Sequence, residues 1–102
     1  MMHLLLLTTM LFYDPSVNIT PYMEFLPAPC PVRIDIVNRT NIYYDAYAWY
    51  SGRIYIYDGN PSMKDLEWKR YVIQHEIGHI CNKNNRRGSY YQRELNANKK
   101  IK

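Results

Sequence analysis

The spacing of hydrophobic positions divides the chain into three zones. Residues 2–12, "MHLLLLTTMLF", are one apolar run and predict a buried N-terminal helix or strand, closed by Asp14-Pro15-Ser16. Residues 16–26, "SVNITPYMEFL", read as a second short helix, with Pro21 counting against it. "PAPCP" at 27–31 is a rigid connector. The period then drops to two. Val32, Ile34 and Ile36 alternate with Arg33 and Asp35, the pattern of a half-buried strand. Residues 38–41 read as a turn, 42–50 as an aromatic-rich strand, Ser51-Gly52 as a tight turn, and 53–58 as a third alternating strand. Strands in succession with short links predict a small, mostly antiparallel three-stranded sheet.

Beyond Asp58-Gly59-Asn60-Pro61 the period becomes helical. Ser62, with Asp65 three residues on, predicts an N-cap. Leu66, Trp68, Tyr71, Val72, His75, Ile77 and Ile80 mark an amphipathic helix from Met63 to about Asn84. Asn84 to Gly88 ends it. Ser89 and Gln92 form a capping box for a second helix opening near Tyr90 and running to the end of the chain. The expectation is an α+β fold in one domain, residues 1–102.

Composition narrows the class. At 102 residues the chain has room for one modest core, and 47% hydrophobic residues exclude a disordered chain. No lysine or arginine precedes the apolar N-terminal run, no small-x-small cleavage site follows it, and it is shorter than the roughly 18 residues of a spanning helix. A cytoplasmic protein without a membrane span is expected. Of the thirteen Lys and Arg residues, Lys83, Arg86, Arg87, Arg93, Lys99, Lys100 and Lys102 crowd the C-terminal fifth. With no nucleic-acid-binding motif beside them, they read as a solvated face favoured by the helix dipole, and no nucleic-acid partner is expected. Cys30 and Cys81 read as buried free thiols; one disulfide between them is the alternative.

"HEIGH" at 75–79 carries the chemistry. His75 and His79 are four apart, so both rings leave one helix face and can reach one cation, with Glu76 beside that face as a general base. A catalytic zinc also needs a third protein ligand and one open position. An antiparallel hairpin of the two helices, centred between Arg86 and Arg87, sets Glu94 opposite His79 and Asn98 opposite His75. Glu94 becomes the third ligand. Asn98 becomes a hydrogen-bond partner that fixes the His75 tautomer. Gly78 and Ala97 are small enough to let the helices close. His3, alone in an apolar run, reads as structural.

"HEIGH" followed by "ELNAN" resembles the gluzincin metallopeptidases, which pair H-E-x-x-H with a later E-x-x-A-[D/N]. Upstream, "YDAYAWYSGRIYIYDGN" is similar to the catalytic domains of membrane metallopeptidases of the HtpX and CAAX prenyl endopeptidase type, with Asp45 where those have Asn. Over about residues 32–98 the chain is most similar to the soluble minigluzincins. The resemblance implies a zincin-like fold and a single zinc ion. It implies an upper-rim strand in which Ala46, Tyr47, Ala48 and Trp49 bind an extended peptide. It also implies latency imposed by the C-terminal segment, here a terminal helix exchanged within a homodimer. A zinc metalloendopeptidase acting on peptides or proteins is therefore expected. The rival readings are a zinc-stabilised interaction module and a repressor-cleaving regulatory protease.

Overall fold

A computed structural model describes residues 9–49, 51–82 and 89–98. Four strands form one sheet: β1 (Thr9–Tyr13), β2 (Val32–Val37), β3 (Ala46–Trp49) and β4 (Arg53–Tyr57), in the order β1-β2-β4-β3. The helices are the one-turn α1 (Thr20–Met23), the long α2 (Leu66–Cys81) and α3 (Tyr90–Ala97), with a 3-10 turn over Pro61–Lys64. His3, the connector at 84–88 and the lysines at 99, 100 and 102 lie outside the described residues.

The α+β expectation holds; the antiparallel three-stranded sheet does not. β1 runs parallel to β2, and β2 parallel to β4; only β3 and β4 are antiparallel. The reason lies in the connections. Residues 14–31, including α1, cross over to bring β2 alongside β1 in the same direction. The loop at 38–45 is long enough to carry the chain past the β4 position, so β3 lands on the edge and the hairpin turn returns β4 into the gap. Gly52 sits in that turn at φ 99°, where a side chain would be strained.

The sheet has one apolar and one polar face. Val32, Ile34, Ile36, Ala46, Ile54 and Ile56 are buried together with Val72, Ile73 and Ile77 of α2, and with Val17, Tyr22, Ala28 and Met63. On the opposite face Asp35 accepts ion pairs from Arg33 and Arg53, at 3.1 and 3.0 Å. The two guanidinium groups lie over the rings of Phe12 and Tyr55, each 4.5 Å from the centroid.

Two further expectations change. The N-cap of α2 is Asp65, whose carboxylate accepts the Trp68 N–H at 3.1 Å, so α2 opens at Leu66; the Ser62 hydroxyl donates to Asp45 instead. Cys30 and Cys81 form a disulfide that ties the connector to the last residue of α2. The buried stripe of α2 is narrower than its helical period: Leu66, Trp68 and Tyr71, which helped mark that period, are all more than 40% exposed. Ser89 caps α3 as expected, accepting from the Gln92 N–H.

Candidate metal centre

The apolar half of α2 fixes the polar half. Val72, Ile73 and Ile77 are held against the sheet, which turns His75, Glu76 and His79 toward the cleft between β3 and α3. The two helices meet at Gly78 and Ala97. A Cβ on Gly78 would stand 1.7 Å from the Ala97 carbonyl oxygen, so only glycine permits this approach. That contact brings Glu94 over both imidazoles.

His75 Nε2 lies 3.0 Å from Glu94 Oε1 and 3.1 Å from His79 Nε2, and His79 Nε2 lies 2.9 Å from Glu94 Oε2. These three side chains could hold a metal ion. The fit can be tested by geometry. Tetrahedral bonds of about 2.0–2.1 Å separate neighbouring donors by roughly 3.3 Å. The Nε2–Nε2 distance and each imidazole's distance to its own Glu94 oxygen come within a few tenths of an ångström of that figure, and one donor atom from each residue lies within 4.8 Å of the others. The donor set, two imidazoles and a carboxylate, is one that divalent transition metals take, zinc among them.

The second layer settles the tautomer. Asn98 Nδ2 donates to the Tyr71 hydroxyl at 3.3 Å, which turns its Oδ1 toward His75 at 2.6 Å. His75 therefore donates from Nδ1, and its Nε2 lone pair is left for a cation. Both rings are largely enclosed, at 11% and 15% side-chain exposure, and Glu94 is one-third exposed. Glu76 is half-buried beside them. Burial raises its carboxyl; His75 opposes this and Glu94 adds to it, and the net effect pushes the group up to about 7.

A cleft opens on each side of the cluster, and Tyr44, Ala46, Glu76 and Glu94 line both. The one beside His79 has a volume of about 400 Å³ and is walled by Tyr47, Trp49, Tyr90 and Arg93. The one beside His75, about 350 Å³, is walled by Trp68, Tyr71, Tyr91 and Leu95. β3 forms the rim. Tyr57 N–H donates to the Asp45 carbonyl, so residues 45, 47 and 49 make the ladder bonds to β4. Ala46 and Ala48 consequently turn their N–H and C=O groups to the open edge.

His75, His79, Glu94 and Asn98 thus come together as the helical hairpin required, and Ala46–Trp49 lie along the same cleft. Sequence reasoning passed over Trp68 and Tyr71. Their spacing of three and four residues from one another and from His75 was a usable signal, because it puts all three rings in one row. They stack in turn, Trp68 on Tyr71 at 5.2 Å and Tyr71 on His75 at 5.7 Å. No protein-family model, curated protein or solved structure matches the chain.

Proposed function

We propose that the protein is a zinc-dependent metallopeptidase that hydrolyses peptide bonds in extended substrates. One observation carries the reading. Two imidazoles and a carboxylate converge within 4.8 Å of one another beside a second carboxyl, that of Glu76, on the floor of a cleft that is open on both sides. A purely structural zinc site closes all four positions with protein ligands and has no use for such a carboxylate.

His75, His79 and Glu94 would hold the ion. Zinc bound there supplies Lewis acidity and brings the pKa of a water toward ~7. The chain does the rest. Backbone groups of Ala46 and Ala48 pair with an extended peptide and align its scissile bond with Glu76. Glu76 takes a proton from the attacking water and passes it to the departing amine. Tyr47, Tyr90, Tyr91 and Arg93 all line the clefts and are candidates to stabilise the oxyanion.

The disulfide bears on the compartment. Such bonds persist in oxidising environments or in the disulfide-rich cytoplasm of hyperthermophiles, and not in an ordinary reducing cytoplasm. A cytoplasmic location for this chain would accordingly call for a cytoplasm of the second kind. Among the described residues no helix is long and apolar enough to cross a membrane.

The test is metal analysis with a peptide-cleavage assay on the wild-type chain, on Glu76→Ala, and on a chain ending at Asn98. Wild type or the shortened chain should cleave, the latter alone if the C-terminal residues impose latency. Glu76→Ala should keep its zinc and lose hydrolysis. Cleavage by Glu76→Ala, or none by any form carrying zinc, would refute the reading.

A further inference from the structure

Asp45 stands just before the edge strand and carries no role in the chemistry above. Its surroundings are unusual. Asp45 Oδ1 accepts from the Ser62 hydroxyl and from Asn60 Nδ2, the latter at 2.9 Å, while Oδ2 accepts the Trp68 indole N–H at 2.8 Å. The buried Asn60 shares its two amide hydrogens among Asp45 and the carbonyls of Asn41 and Tyr44, and its Oδ1 accepts the Asn41 N–H, so the loop before β3 is tied to this point. Three donors converge on one side chain. A carboxylate, which only accepts, satisfies all of them; an asparagine would turn an NH₂ group against a ring of donors. Burial acts to raise the Asp45 carboxyl, but the bonds from Ser62, Asn60 and Trp68 outweigh it and hold the group below the usual carboxylate range.

The contact does not stop at Trp68. Its ring stacks on Tyr71, and Tyr71 stacks on His75. The Tyr71 hydroxyl is also bonded to Asn98, which orients His75. An unbroken series of contacts therefore runs from the first residue of the rim to a candidate metal ligand.

We infer that Asp45 is a positioning residue: by accepting the Trp68 indole N–H it latches the start of β3 onto α2 and sets the spacing between the peptide-binding rim and the His75 end of the metal centre. This rests on the peptidase reading for its consequence, though not for the latch itself. It also explains why an acid stands at 45: the carboxylate acts on the protein's own donors.

The experiment compares Asp45→Asn, Trp68→Phe and the double variant. Trp68→Phe keeps an aromatic ring in the stack but removes the indole N–H, so it tests the latch even if Asp45→Asn disturbs the loop. Each single change should raise KM for a peptide roughly tenfold with zinc content unchanged, the size expected for one hydrogen bond to a charged group. The double variant should be no worse than either single variant, because both remove the same link. In Asp45→Asn the Trp68 indole N–H resonance should shift upfield and exchange faster. Additive losses, or an unchanged KM with a displaced indole resonance, would overturn the latch. Should neither the intact chain nor the chain ending at Asn98 hydrolyse a peptide, the peptidase reading fails and the latch is read by magnetic resonance alone. The amides of Ala46 and Ala48 and the ring of His75 should then move together in both single variants, and resonances that stay in place would overturn it.

Discussion

The two faces of α2 have opposite duties. One presents Val72, Ile73 and Ile77 to the sheet, with Gly78 set against α3 at its flank, all buried. The other presents Trp68, Tyr71, His75, Glu76 and His79 to the cleft. The buried face is chosen for fit, and Gly78 shows how tight that fit is. The cleft face carries groups a stability argument alone would not choose, including a half-buried carboxyl displaced to about 7 and two imidazoles sharing one acid. The difference teaches where the site gets its order. Packing on one side of the helix holds in place, on the other, groups that would repel or solvate if left free.

Changes that strike the packed side should therefore damage both stability and site. The largest effect is expected from removing the disulfide, which closes a loop of 51 residues. Chain-entropy arguments put its contribution at about 4 kcal/mol. Replacing Cys30 and Cys81 by alanine should lower the denaturation midpoint accordingly, and zinc affinity should fall with it, since Cys81 lies two residues beyond His79. Gly78→Ala comes next. Its Cβ meets backbone that cannot give way locally, so a loss of about 3 kcal/mol or more is expected, with α3 and Glu94 displaced from the histidines. Equilibrium unfolding and zinc titration on the same samples check both.

Changes on the cleft side should separate the two properties. Asn98→Ala leaves the His75 ring without its partner and should weaken zinc binding by roughly 10- to 100-fold, with little loss of stability. Glu76→Gln should go further and stabilise the metal-free protein. The folded carboxyl titrates near 7 and the unfolded one near 4.5, so ionisation costs the native state increasingly as pH rises between those values. The variant should be more stable than wild type by on the order of 1 kcal/mol at pH 8, and the advantage should vanish below about pH 4.5. A Gln variant that is less stable at pH 8 would contradict the strain assigned to Glu76.

What the sequence disclosed divides along the same line. The meeting of His75, His79 and Glu94 was legible because a helical hairpin needs only periodicity and a centre of symmetry, and both could be counted. The sheet order was not, because alternation reveals that Val32–Val37 and Arg53–Tyr57 are strands and says nothing about which neighbours which. The exposure of Trp68 and Tyr71 was hidden for a related reason. A ring that walls a cleft and a ring that fills a core have the same helical spacing. Ser62 looked like the helix cap because the competing demand of Asp45, 17 residues away, is invisible locally. The disulfide needed three-dimensional proximity that a separation of 51 residues does not encode.

Two helices of one chain bring His75, His79 and Glu94 together, and the proposed function requires that they hold a single zinc ion. Equilibrium dialysis of the wild-type chain and of Glu94→Gln against zinc tests it most directly. One zinc per wild-type chain is expected, with affinity at least a hundredfold weaker in Glu94→Gln. A wild-type chain that takes up no zinc, or a Glu94→Gln chain that binds it as tightly as wild type, would contradict the account.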